Sequence, residues 1–178
     1  MRAETLFNDT FSVELPDEFT AKIVGTQDNE NDSSNDESIV PAHPFFSVPE
    51  DEDTSIEFVP GEEIWDDDTL TERLGGYAET IDRTHAGVDN LEFAIREGRP
   101  QTQNHPLGLI TYTYKTLDAN YSAIFVLAPL NGKDLCIFMD CTYDNAFVRS
   151  DQFMDIAESI TINKETDTDT TNRNENRI

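Results

Sequence analysis

Hydrophobic and polar residues alternate near the start of the chain. Phe7, Phe11, Val13 and Leu15 share one parity, while Asn8, Thr10, Ser12 and Glu14 take the other. Period-two alternation marks a strand with one buried face, and Pro16 ends it. Phe19, Ala21 and Ile23 continue the parity after a short turn, so residues 5–24 are predicted to form a hairpin. Residues 45–48 and 55–59 are two more short strands, the second closed by turn chemistry at Pro60-Gly61. The period then changes. Leu70, Leu74, Tyr77, Ala78 and Ile81 fall on one helical stripe behind a Thr69–Glu72 capping box. Asp66, Asp67 and Asp68 precede them, where a helix N-terminus favours negative charge. Gly75-Gly76 inside the stripe predicts a helix break or a backbone pressed against a sheet, because each glycine costs about 1 kcal/mol relative to alanine.

Four strands follow at 91–96, 109–115, 121–127 and 135–143. The last three are joined by Asp118-Ala119-Asn120 and Asn131-Gly132-Lys133, which predicts an antiparallel meander. The final two are apolar on both parities, as central strands covered on both faces are. A second helix is predicted from Ser150 as N-cap, with Phe153, Ile156, Ala157 and Ile160 on its buried stripe. Strands mostly follow strands. The predicted class is therefore α+β, a mainly antiparallel sheet with two principal helices packed on it. Residues 1–163 form a single domain. Residues 27–38, with five acids and no apolar side chain, are expected to be a mobile acidic loop, and 164–178 a disordered polar tail.

Charge changes the picture most. The 178 residues hold 12 Lys+Arg against 37 Asp+Glu, a net charge of −25. No basic patch is available to release counterions from phosphates, which excludes nucleic acid, and nothing holds anionic lipid electrostatically. No apolar run approaches the roughly 20 residues of a membrane span, and the first residues lack the apolar core, about 7–15 residues, of a signal peptide. Asn8, Asn31 and Asn120 head glycosylation sequons, which mean nothing without a secretory signal. Cys136 and Cys141 lie five apart in one strand, hence on opposite faces as free thiols, which suits a cytoplasmic setting.

Candidate chemistry is sparse. His43, His85 and His105 fall in predicted loops with no ligand partner at metal spacing. Asp28, Glu30, Asp32 and Asp36 follow a calcium loop in part, but Ser33 stands where Gly is needed and Ile39 where a bidentate Glu is needed. No nucleophile elbow, Cys–His pairing or phosphate-cradling glycine loop is present. The expectation is no catalytic residue, no metal and no cofactor, so not an enzyme. Trp65, Tyr112 and Tyr114 offer rings that could stack on a ligand, but the expectation is that they pack against the sheet. One feature is dense. Glu50, Asp51, Glu52, Asp53, Glu57, Glu62, Glu63, Asp66, Asp67 and Asp68 follow one another with no basic residue between. They form either a solvated or halophilic surface, or a docking patch whose field steers a basic protein.

Phe11-Ser12-Val13-Glu14-Leu15-Pro16, the long helix, the late antiparallel strands and a closing Ser159-Ile160-Thr161-Ile162 resemble the Mog/PsbP-like superfamily across residues 5–163. That group includes Ran-binding Mog proteins, the PsbP subunit of photosystem II and bacterial DcrB-like proteins, some of them effector-associated chaperones. The insert at 27–38 and the lack of a lipoprotein or lumenal signal depart from it. The resemblance implies an α-β-α sandwich that binds proteins and catalyses nothing, and no functional residue carries over. The expected function is a non-enzymatic protein-binding module of adaptor or chaperone type, with a partner that is a protein of basic character. The alternatives are an acidic immunity-type inhibitor of a basic toxin and, third, a small-molecule-binding enzyme.

Overall fold

The first hairpin forms earlier than alternation alone predicts. Phe7, Asn8 and Asp9 adopt φ of 54°, 56° and 65°, a left-handed conformation that Asn and Asp tolerate better than most residues. The chain therefore turns at residues 7–10, where the Thr10 N–H and hydroxyl both donate to the Phe7 carbonyl. Strand β1 (Arg2–Leu6) pairs antiparallel with β2 (Phe11–Leu15). Phe11, Val13 and Leu15 are the buried parity, as predicted, but the hairpin of 5–24 is corrected, because the partner strand precedes the turn. Strand β3 (Thr20–Ala21) belongs to another sheet and pairs with β4 (Phe45–Val48).

The computed structural model describes residues 1–22 and 43–164. The expected acidic loop with its partial calcium pattern, and the tail beyond Lys164, lie outside the described residues.

Strand β5 (Asp51–Ile64) is far longer than the predicted 55–59. Pro60-Gly61 does not turn the chain. The ladder is irregular between Pro60 and Ile64, so the missing proline donor is tolerated there. Gly61 lies against Asp134, whose Cβ would stand 3.1 Å from a Cβ added to the glycine. A 3-10 turn (Asp67–Thr69) leads into helix α1 (Leu70–Thr84). Then come β6 (Ala86–Arg96), β7 (Leu107–Lys115), β8 (Asn120–Leu130), β9 (Lys133–Thr142), α2 (Ala146–Ser159) and β10 (Thr161–Ile162).

Seven strands form the main sheet in the order β3-β4-β5-β9-β8-β7-β6, every neighbour antiparallel, and β1-β2-β10 form a small second sheet. Leu70, Leu74, Ala78 and Ile81 of α1 bury one face of the main sheet against Ile110, Phe125 and Leu127. Phe153, Ile156 and Ala157 of α2, with Phe11, Val13 and Leu15, cover the other face over Leu109, Val126 and Ile137. Cys136 packs on the α1 side and Cys141 on the α2 side, both free, as their odd spacing requires. The α+β sandwich is as predicted.

Both helix starts differ from expectation. Thr69 makes no side-chain cap bond, so the Thr69–Glu72 box does not form. Asp66 caps the preceding turn by accepting from the Asp68 N–H at 3.0 Å, which moves the start upstream. Helix α2 begins at Ala146, four residues before the predicted Ser150 cap. Its first turn is held by Arg149, which meets Glu18 at 2.8 Å and Asp51 at 3.5 Å across the fold. Gly75 and Gly76 neither break α1 nor touch the sheet: a Cβ added at either meets nothing within 4 Å. The close approach is at Leu74, whose Cδ2 would lie 2.7 Å from a Cβ added to Gly108.

Candidate protein-docking surface

Helix α1 covers its side of β6 and β7 and the Phe125–Leu127 and Asp134–Cys136 stretches of β8 and β9. At the other end of that face the residues of β5, β8 and β9 other than Ala123 are only half-buried or exposed. Register decides which side chains share that open area. Tyr114 lies opposite Tyr121, Ala123 opposite Asp140, Asp140 opposite Ser55, and Phe138 opposite Glu57. All but Ala123 are half-buried. The Tyr114 and Tyr121 rings stack with centroids 5.0 Å apart and planes 9° from parallel. His85, just past the end of α1, sets its ring edgewise to Tyr114 at 4.4 Å.

Carboxylates edge this aromatic ledge. Asp140 accepts from the Tyr114 hydroxyl and from Ser55 Oγ, both at 2.8 Å. The Tyr121 hydroxyl donates to Asp53 at 3.0 Å. Among the described residues no Lys or Arg bonds to Asp53, Glu57 or Asp140. Burial, reinforced by the Asp140 charge, pushes the Tyr112 and Tyr114 phenols well above their usual range. Burial and the bond to Asp53 push Tyr121 the same way. These phenols therefore stay protonated donors and do not serve as bases near neutral pH. Asp140 already has both oxygens occupied. With the two rings stacked on each other and His85 against Tyr114, the π face the ledge offers is the far side of Tyr121, beside Asp53, and a face rimmed by negative charge suits a cation.

The acids predicted as one docking patch are not one patch. Glu50, Asp51, Glu52 and Asp53 lie at one end of β5, Glu62 and Glu63 near its other end, and Asp66, Asp67 and Asp68 just beyond it. At about 3.3 Å per residue, the stretch from Asp53 to Glu62 separates them by roughly 30 Å. Asp53 and Glu57 join the ledge. Asp51 turns away, accepting from Thr54 Oγ1 at 2.5 Å and Asn145 Nδ2 at 3.0 Å and pairing with Arg149. Glu62 pairs with Lys133 at 3.2 Å. Asp67 accepts from Trp65 Nε1 at 2.5 Å and meets His105 Nδ1 at 2.8 Å. Glu50, Glu52, Glu63 and Asp68 are exposed.

Tyr112 is buried under α1 and Trp65 packs at the margin of the same core, as expected. A second polar group lies beneath α1. The fully buried Asp134 is ion-paired with Arg73 and accepts from the Tyr77 hydroxyl at 3.3 Å, and Cys136 Sγ donates to Tyr77 at 3.3 Å. This network ties α1 to β9. Among the described residues no three His, Cys, Asp or Glu side chains converge as a metal site. No described helix is long and apolar enough to cross a membrane.

Ser55, Tyr121 and Asp140 were not singled out by the sequence, and His85 was read only as a loop histidine without a partner. The usable signals were Asp140, the only charge in the apolar run 135–141, and the short 116–119 connection, which sets Tyr114 opposite Tyr121.

No family model and no curated protein matches the chain. Solved structures do. The solution structure of cyanobacterial PsbP (CyanoP) from Synechocystis sp. superposes with a TM-score of 0.60 at 14% identity, covering 90% of this chain and 91% of that one. LpqN, involved in cell envelope biogenesis of Mycobacterium tuberculosis, superposes with a TM-score of 0.45 at 13% identity over 86% and 83% of the two chains. The second superposition is too loose to argue from. The first, with the sandwich described above, shows that this chain has the PsbP-like fold.

Proposed function

We propose that this chain is a non-enzymatic protein-binding module, an adaptor or chaperone of the Mog/PsbP-like group, which grips a basic segment of its partner on the Tyr114–Tyr121 ledge. The observation that carries this reading is the stacked tyrosine pair rimmed by Asp53, Glu57 and Asp140, to which no Lys or Arg among the described residues is bonded. A guanidinium or ammonium over such a face gains about 0.5–1 kcal/mol when exposed and about 2 when desolvated. The net charge of −25 adds long-range steering toward a basic partner. The non-enzymatic part is supported by phenols held protonated and a carboxylate with both oxygens engaged. A reducing, cytoplasmic setting is supported by two buried thiols facing opposite sides of one sheet.

The test is a calorimetric titration with an arginine-rich peptide and its citrulline counterpart. The arginine peptide should bind, weaken as salt rises, and lose about tenfold in affinity with Tyr121→Ala. Asp53→Asn with Glu57→Gln should weaken it similarly, while Asp66→Asn, Asp67→Asn and Asp68→Asn together should change it little. Equal binding of the citrulline peptide, or loss on the Asp66–Asp68 substitutions alone, would overturn the assignment.

A further inference from the structure

Strand β6 is a free edge of the main sheet. It pairs with β7 on one side, and among the described residues nothing pairs with its other side. Most of its length is exposed, with Phe93 at 54% and Ile95 at 44%. A long edge strand carrying exposed apolar side chains is a ready template for another strand. Phe93 and Ile95 stand opposite Ile110 and Gly108, on the α1 face. Glu92, Ala94 and Arg96 stand opposite Thr111, Leu109 and Leu107, on the α2 face.

We propose that β6 pairs antiparallel with β6 of a second copy of this chain, about a two-fold axis through Ala94, joining the two main sheets into one. Backbone donors and acceptors along an edge point outward at alternate residues. A two-fold axis must therefore pass through a residue, so that outward groups meet outward groups. With the axis at Ala94, Glu92 of one copy opposes Arg96 of the other, and Phe93 opposes Ile95, each twice. Opposite charges and aromatic–β-branched pairs are favourable cross-strand neighbours. Other axes are worse, one at Phe93 setting Glu92 against Ala94 and Arg96 against Asn90 so that the charge pair is lost. An axis at Glu92 sets two glutamates against each other, one at Arg96 sets two arginines together, and one at Ile95 puts Phe93 against Glu97.

Arg96 also lies 3.8 Å from Glu158 of its own chain, so the second copy's Glu92 would complete a pair of carboxylates around it. Each copy carries a net charge of −25, and that repulsion opposes association. An edge contact also falls at the small end of interfaces, below about 1,200 Å², where complexes are transient. The dimer therefore strengthens as salt screens the net charge, the opposite of the salt dependence expected on the tyrosine ledge. The two surfaces are separate, so either proposal can fail without the other.

Sedimentation velocity across a concentration series tests this. The mass should rise above the 20.1 kDa monomer with protein concentration, more steeply at high salt. Arg96→Glu should weaken the dimer roughly tenfold, since two favourable pairs become repulsive. Adding Glu92→Arg to that variant should restore it, because the charges are then exchanged and still complementary. An independent readout is oxidative cross-linking. Ala94→Cys should join two copies by a disulfide, because residues on the axis face each other at bonding distance. Glu92→Cys should not cross-link. A wild-type monomer at every concentration and salt, a charge exchange that fails to restore the dimer, or cross-linking through position 92 in place of 94 would overturn the proposal.

Discussion

Tyr114 and Tyr121 lie directly opposite each other on β7 and β8, their rings stacked within 9° of parallel, yet each donates its phenol proton to a different carboxylate. Tyr114 reaches Asp140 on β9, and Tyr121 reaches Asp53 on β5. Both rings are thus fixed at two points, by the ladder beneath and by a hydrogen bond at the tip. Little side-chain freedom remains to be lost when a ligand settles on them, which is the advantage of a preorganised surface.

The two kinds of glycine around α1 should respond in opposite directions. Gly75→Ala and Gly76→Ala should each stabilise the protein by up to about 1 kcal/mol, since a methyl group there meets nothing and the helix gains propensity. Gly108→Ala should destabilise by about 1–3 kcal/mol, because the methyl would overlap Leu74. Urea unfolding of the three variants checks this. Destabilisation at Gly75 or Gly76 would show that the pair is needed for something other than the helix.

Helix packing sets the scale of the core. Leu74 and Ile156 are each 1% exposed, on opposite sides of the sheet. Leu74→Ala and Ile156→Ala should each cost about 2–5 kcal/mol, read from thermal or urea melts. Melts matching the parent would mean that the helices do not bury these stripes.

The thiols should be silent in the native protein. Burial raises Cys136 above its ordinary value and, with the charges of Asp140 and Asp51, pushes Cys141 up to about 12. Neither should react with a thiol reagent at pH 8 until the protein unfolds, whereupon two thiols per chain should titrate. A raised thiol value also has a stability consequence. The unfolded chain ionises above the ordinary value of 9.0 while the native one stays protonated, so stability should fall as pH rises through that point. Rapid labelling in native buffer would contradict the burial.

Acid should act through Glu18. Hydrogen bonds from Gln152, its own backbone N–H and Arg149 hold its carboxyl below the ordinary value of 4.5. A lowered value means stability that is present above the unfolded value and is lost as pH falls through the native one. Wild type should therefore be more stable than Glu18→Gln at neutral pH, with the gap closing below pH 4.5. A gap independent of pH would show that the carboxylate contributes packing and not charge.

Local patterns carried much of the fold. The β7-β8-β9 meander was legible because its turns are short and its central strands are apolar on both parities, and the cysteine faces followed from odd spacing. Helix α1 was legible from its stripe. What failed depended on distant contacts or unusual backbone. Strand β1 was hidden because Phe7, which joins Asn8 and Asp9 in the left-handed turn, continues the apolar parity of the next strand and masks the turn. The start of α2 was misplaced because Arg149 is held by Glu18 and Asp51, residues far away in the chain. Strand β5 ran on through Pro60-Gly61 because an irregular ladder accepts a proline. The proposed docking surface was half legible: density in sequence pointed to residues 50–68, but the length of β5 pulls those acids apart. Only Asp53 and Glu57 reach the ledge, where register brings Tyr114, Tyr121 and Asp140 from three other strands.

The most direct test of the ledge as a cation-binding surface is a heteronuclear NMR titration of the full chain with an arginine-rich peptide at low salt. Saturable shifts should be largest at Tyr114, Tyr121, Asp53, Glu57 and Asp140, and should fade as ionic strength rises past the point where charges are screened within about 8 Å. Shifts spread evenly over the exposed acids, or centred on Glu62 to Asp68, would contradict it.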